Sequence, residues 1–533
     1  MSIISGRVPI SMPPRLAVKP ASRLLLSQSQ YKTSSHLRRS SFGLRCFGSQ
    51  RKTVLDGSSF AYTWLTKTPE QITPDDVLSS IPPIPASLAE PGNVPVLFVT
   101  PSFAPWIDPS GEFLEQWMNR LFHNSPDSRS APLHAIAAII DRIPDSRVPG
   151  NGILESEGLS LMFVKEENIQ GKAAPPRRIR STGSEESALI FSVQAGAPNR
   201  SGDAVHRPIY EVGLRLANTI FINGNENTLF GMRWALDSVS NKLSLDQSID
   251  LTNCVLNTSA NFVHDKFELP LHPVSQRRKV VSSMGNILRQ VSKSTDGNSK
   301  APMPASSELE KELPRYIAEH NIEDRRVSVW ALVERPDADA LNETDSAQDR
   351  LDKAIRAGGK LHRVMSGGGG WGKKQGLLSL DPEIRFLTTA DQGNLLVLNN
   401  LFDPNADTLP GLPPLDKGLI IDDLSLLSQV AREDDYIQFF VSVEPKLDQN
   451  DALPKVQEGA ISCHFGVLSD PEILEESVDN MAQIDLAALP NYFGALSEKA
   501  ITYLQPVIEA EGEILESGTK LDVPGSRVDL IVA

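Results

Sequence analysis

A strand, a helix and a second strand in quick succession constrain this chain more tightly than any other feature. "VPVLFVT" (residues 94 to 100) is apolar without alternation, as expected of a strand covered on both faces. "EFLEQWMNRLF" (112 to 122) places Phe113, Leu114, Trp117, Met118 and Leu121 on one side of a helix, and "LHAIAAII" (133 to 140) is a second short apolar run. Strand, helix, strand predicts a parallel pair, because the helical crossover returns the chain to the same end of the sheet. Further strands are expected at "LSLMFV" (159 to 164) and "ALIFSV" (188 to 193). "NTIFINGNENTLFGMRW" (218 to 234) reads as two strands turned back on each other at its Asn/Gly-rich centre.

Beyond this unit, residues 280 to 291 read as an amphipathic basic helix, followed by the polar "SKSTDGNSKAPMPASS". Ser307 with Glu310 has the spacing of a capping box for a helix containing Leu309 and Leu313. Strand-like runs then dominate: "RVSVWALVE" (326 to 334), "NLLVLNNLF" (394 to 402), "GLIIDDLSLL" (418 to 427), "YIQFFVSVEP" (436 to 445), "AISCHFGVL" (460 to 468) and "RVDLIVA" (527 to 533). The class expected is α/β to α+β with mixed sheets. Two domains are expected, an α/β domain over 93–290 and an α+β domain over 307–533, joined by a linker at 291–306.

The first 55 residues carry ten Lys or Arg, many Ser and Thr, and no acidic residue before Asp56. That is the composition of a mitochondrial transit peptide, with a cut after Phe47 in "LRCF". Residues 48–92, rich in proline, are expected to form an extended arm. Removing residues 1–47 deletes eight basic residues and leaves 44 basic against 67 acidic, a net charge of −23 compared with −15 for the whole chain. Such a surface repels polyanions overall, so contact with RNA would need local basic patches. Arg277, Arg278, Lys279, Arg289 and Lys293 supply one candidate, whose plainer reading is a solvated face. No apolar run reaches the roughly 18 residues that span a bilayer. Outside the transit region only Cys254 and Cys463 remain, with no CxxC spacing for a metal, which suits a reducing matrix.

In the stretch from Val94 to Val164, "VLFVTPSF" precedes a helix, then "HAIAAIID", then "GILESEGLSLMFV" after an acidic spacer. This order resembles the amino-terminal part of FIST-type sensory domains, although Ala137 and Ala138 stand where that family usually has a glycine-containing turn. The resemblance covers about 70 of the 533 residues and implies a ligand-sensing or adaptor module rather than a catalyst.

"RVMSGGGGWGKKQGLLSLDPE" (363 to 383), within which 366–376 reads as a glycine-rich loop, is the stretch that most resembles a site. As a P-loop it has Lys374 where Ser or Thr should hold magnesium, and Gly376 and Pro382 leave no room for the helix that must follow. "GLIIDD" imitates a Walker B strand, a common pattern. Consecutive glycines can instead aim their N–H groups into an anion nest, with Arg363, Lys373 and Lys374 supplying charge and Trp371 a stacking face. The candidate contact residues are Arg363, Gly367, Gly368, Gly369, Gly370, Trp371, Gly372, Lys373 and Lys374. A loop that merely packs one tryptophan fits equally well.

GxSxG and HExxH are both absent, and Cys463 and His464 are strand neighbours facing opposite ways. The expectation is therefore a soluble mitochondrial matrix protein without a cofactor, acting by binding as an accessory factor in mitochondrial gene expression or respiratory-complex biogenesis. Its partners would be mitochondrial proteins, with RNA at the basic patch. The alternative is an enzyme or sensor for a phosphorylated small molecule held by the glycine-rich loop.

Overall fold

The computed structural model describes residues 60–123, 131–145, 155–175, 187–196, 208–225, 227–295, 301–320, 322, 327–336, 347–367, 376–382, 395–403, 429–443, 459–469, 486–508 and 514–533. The expected transit peptide and the "GLIIDDLSLL" run lie outside them. With strands numbered in chain order, a large mixed sheet runs from edge to edge as Ala487–Pro490 (β22), Ala61–Thr66 (β1), Glu155–Lys165 (β5), Asn93–Val99 (β2), Leu133–Ile139 (β3), Leu229–Asp237 (β9), Lys242–Ala260 (β10), Ala188–Ala195 (β7), Ile209–Arg215 (β8), Ile501–Ile508 (β24) and Ile514–Leu521 (β25). Ile143–Pro144 (β4) joins β5, and Ile169–Ala173 (β6) joins β10 and Leu396–Val397 (β19). β2 and β3 pair in parallel, Val96 opposite Ile136 and Val99 opposite Ile139, as the strand–helix–strand order requires.

The unbroken apolar character of β2 follows from burial on both faces. Val94, Val96 and Phe98 enter one core, and Leu97 and Val99 enter another beneath the helix Glu112–Leu121. That helix buries all five residues of its predicted face. On its other side the sheet packs against a smaller sheet of Val263–Glu268 (β11), Arg527–Val532 (β26), Ile461–Val467 (β21) and Tyr492–Ser497 (β23), where Phe98 meets Phe493 at 4.7 Å between ring centroids.

The third sheet contains a closed six-stranded antiparallel barrel: Arg278–Met284 (β13), Ile287–Ser292 (β14), Leu378–Leu380 (β18), Lys360–Gly367 (β17), Val329–Glu334 (β16) and Tyr436–Ser442 (β20), which pairs again with β13. Leu271–Pro273 (β12) and Pro302–Pro304 (β15) extend it. The barrel has its own core, into which the helix Leu309–Glu319 inserts Leu309 and Tyr316. A polar junction fastens it to the large sheet. Trp330 Nε1 donates to Asp522 Oδ1 at 2.7 Å, the Leu361 N–H donates to Thr519 Oγ1 at 3.0 Å, and the buried Lys520 ammonium pairs with Asp522 Oδ2 at 2.8 Å and with Asp381. A buried ammonium is tolerable only when its bonds are met in this way.

Mixed sheets with strand predominating make this an α+β fold. Several local expectations are corrected. The arm expected over 48–92 holds β1, a strand hydrogen-bonded on both sides, and a capped helix, Pro74–Ser80. The basic helix expected over 280–291 is the β13–β14 hairpin, turning at Gly285 with φ 59°. Its apolar spacing suited either element, and pairing with β20 and β18 decided for strand. Residues 220–223 form a short helix instead of a hairpin strand, and β19 gives way to a helical turn at Leu398–Leu401. The 309–319 helix has no side-chain cap at Glu308; the Ser306 hydroxyl donates to Glu310 Oε1 at 2.6 Å. Nor does 291–306 separate two domains. β15 returns to pair with β14, while β22 and β24 pair with β1 and β8, and Leu44–Ala533 forms one compact unit.

Gly158 sits tightly against β1, where an added Cβ would stand 1.9 Å from the Trp64 carbonyl oxygen. Gly158→Ala should therefore lower unfolding free energy by about 2–3 kcal/mol by parting β1 from β5. Denaturant unfolding checks this, and an unchanged midpoint would contradict the close approach.

Candidate functional site

Buried polar side chains concentrate where β1 and β5 of the large sheet meet the four-stranded sheet. Thr63 and Ser160 face this seam, because residues two apart on a strand share a face with its apolar members, here Ala61, Leu65 and Met162. The Gly494 N–H reaches Ser160 Oγ at 3.4 Å, Ser160 and Thr63 hydroxyls are 2.6 Å apart, and Thr63 Oγ1 donates to the Tyr492 carbonyl at 2.6 Å. The Tyr492 phenol donates to the Pro144 carbonyl at 2.6 Å, and its ring stacks on His464 with centroids 4.6 Å apart. His464 Nδ1 bonds Asp529, its partner in the β21–β26 register, whereas Cys463 enters the apolar core on the opposite face.

The acidic end of the seam lies just beyond the carboxyl end of β3, where "IIDRIPD" leaves the sheet. Asp141 Oδ2 accepts from the Glu498 N–H at 2.8 Å, and burial pushes its carboxyl up to about 6. Asp145 is wholly buried and accepts from the Ser156 hydroxyl; burial again raises it to about 6, against the lowering effects of the Ser156 bond, Lys67 and Arg527. Glu155, also buried, accepts from the Ser469 N–H at 2.6 Å and from Arg527 Nη2 at 3.0 Å. Among the described residues the buried hydroxyls of Ser469 and Ser526 have no hydrogen-bond partner. This arrangement can exchange protons close to neutral pH and can hold a cationic group between carboxylates and hydroxyls. Among the described residues no cluster of His, Cys, Asp and Glu is disposed to hold a metal.

The glycine-rich stretch connects β17 to β18, which pair antiparallel with Gly367 opposite Leu378. A P-loop would need a helix where Leu378–Leu380 is a strand. Arg363 donates to Ser328 Oγ at 2.9 Å and lies 5.6 Å from the Trp330 ring centroid. Gly368, Gly369, Gly370, Trp371, Gly372, Lys373 and Lys374 lie outside the described residues.

In the basic patch, three cations are neutralised within the fold. Arg277 pairs with Glu334 at 2.7 Å and lies 3.7 Å from the Tyr436 ring centroid; Arg278 grips Glu308 at 2.7 and 3.1 Å; Lys279 meets Asp434 at 3.4 Å. Arg289 and Lys293 are exposed. The seam was hidden from sequence reasoning because its members come from six separate segments. The one local signal was two aspartates bracketing "RIP" at the end of a buried strand.

Comparison with protein-family models, curated proteins and solved structures finds no match for this chain.

Asp145 has a clear sign of pH dependence. Its folded pKa of about 6 exceeds the unfolded value of about 3.9, so the folded state binds more protons between those limits and stability falls as pH rises through the window. The cost above pH 6 is about 3 kcal/mol. Asp145→Asn, which keeps an acceptor for Ser156, should raise stability at pH 8 by about 2–3 kcal/mol and flatten the slope between pH 4 and 6. Urea unfolding at pH 5 and pH 8 measures both, and an unaltered slope would show that Asp145 does not titrate there.

Proposed function

We propose that this chain is a mitochondrial matrix protein that works by binding, as a sensory or accessory module, and that the acidic seam receives a small ammonium-bearing ligand. The observation that carries this reading is the complete burial of Asp145 beside Glu155, with the Ser469 and Ser526 hydroxyls, which have no hydrogen-bond partner among the described residues, alongside. Buried carboxylates set among hydroxyls suit a cation that brings its own donors, and a primary ammonium offers three. The resemblance of residues 94–164 to FIST-type sensory domains supports a ligand-sensing role, and the basic, serine-rich amino terminus supports the matrix. Neutralisation of Arg277, Arg278 and Lys279 within the fold weighs against RNA at that patch.

The test is thermal unfolding at pH 7.5 against a panel of free amino acids and diamines. At least one should raise the melting temperature by several degrees, and Asp145→Asn and Glu155→Gln should each remove the rise. A flat response across the panel, or a rise in both variants as large as in the parent protein, would overturn the assignment. Affinity purification of the tagged protein from mitochondria should recover a protein partner, and recovery of RNA alone would count against the accessory role proposed.

A further inference from the structure

The inner face of β8 and β24 carries a second polar group that shares no residue with the acidic seam. β24 buries Ile501, Tyr503 and Gln505 in alternation, and the pairing of Tyr503 with Val212 and of Leu504 with Glu211 brings Gln505 level with Tyr210 on one face. Gln505 is 1% exposed, and neither its amide nitrogen nor its oxygen has a hydrogen-bond partner among the described residues. Cores rarely retain a carboxamide in that condition, because two donors and an acceptor have left water for nothing.

Its surroundings are aromatic, with ion pairs already formed at their edge. Tyr503 donates to Asp265 Oδ2 at 2.7 Å; the same oxygen accepts from Arg356 Nη1 at 2.7 Å, and Arg356 Nε donates to Asp352 at 2.9 Å. Phe267 lies 5.9 Å from the Tyr503 ring and 5.2 Å from the Arg356 guanidinium. Tyr210 is half-buried, and its phenol is held above the usual tyrosine range by burial and then by Asp265. Tyr210 and Arg356, 37% exposed at its side chain, mark the solvent side of the group.

We propose that Gln505, Tyr210, Tyr503 and Phe267 form a binding site for a small planar molecule bearing an amide edge, an N–H beside a C=O. A carboxamide pairs with such an edge through two antiparallel hydrogen bonds, and flat rings suit aromatic walls. Asp265 is already engaged by Arg356 and Tyr503, so the buried carboxamide, and not a charge, is the recognition element.

The test uses the full chain, with nicotinamide and uracil as amide-edged probes and benzoate as a flat control lacking the N–H. Ligand-observed NMR should detect the first two at millimolar concentration and benzoate at least tenfold more weakly. Gln505→Leu should raise the melting temperature without ligand, since it removes an unpartnered polar group, yet weaken both probes at least tenfold; Gln505→Met provides the same test if the leucine variant misfolds. Tyr210→Phe should weaken them severalfold. Failure of both probes to bind the parent protein, or unchanged binding in the Gln505 variants, would overturn the site.

Discussion

The fold depends on how closely two backbones approach at β1 and β5. Because Gly158 has no side chain, β1 lies against β5 with Leu65 opposite Gly158, and its other edge is free to pair with β22, some 420 residues further along. That single strand feeds both cores of the large sheet: Ala61 and Leu65 point to one, Tyr62 and Trp64 to the other. It also carries Thr63 into the polar seam. Pairing across such a span is entropically costly to close, and the apolar area it covers on both faces is what offsets that cost.

Within this apolar setting the acidic seam is the exception. The hydroxyl relay through Thr63 and Ser160 is fully bonded and costs little, whereas Asp145 and Asp141 remain in places that favour their protonated forms. Both lie at the carboxyl end of β3, beside the parallel pair, the region where open sheets with helical crossovers tend to place ligands. Location and electrostatic cost thus point to the same few residues.

The barrel shows how a charged sequence can mislead. Arg277, Arg278 and Lys279 form a basic cluster only in one dimension; in three, each is met by an acidic residue from another part of the barrel, and Tyr436 lies beneath two of them. The overall negative charge leaves ample carboxylates for such pairing. The glycine-rich stretch joins barrel strands, which removes the helix that phosphate-binding loops rely on.

Residue spacing by itself determined the parallel β2–β3 pair, the buried face of the 112–121 helix and the strands β5, β7, β9, β16, β20, β21 and β26, because burial on one or two faces imposes a period that the residues must carry. It also placed Cys463 and His464 on opposite faces. Tertiary structure alone decided that 280–291 is a hairpin, that β1 is a strand flanked on both sides, and that the halves of the chain share their sheets. It alone assembled Asp141, Asp145, Glu155, His464 and Asp529 into one seam. Periodicity reports which side of an element is covered but not which distant element covers it, and a site built from partners hundreds of residues apart leaves no period to read.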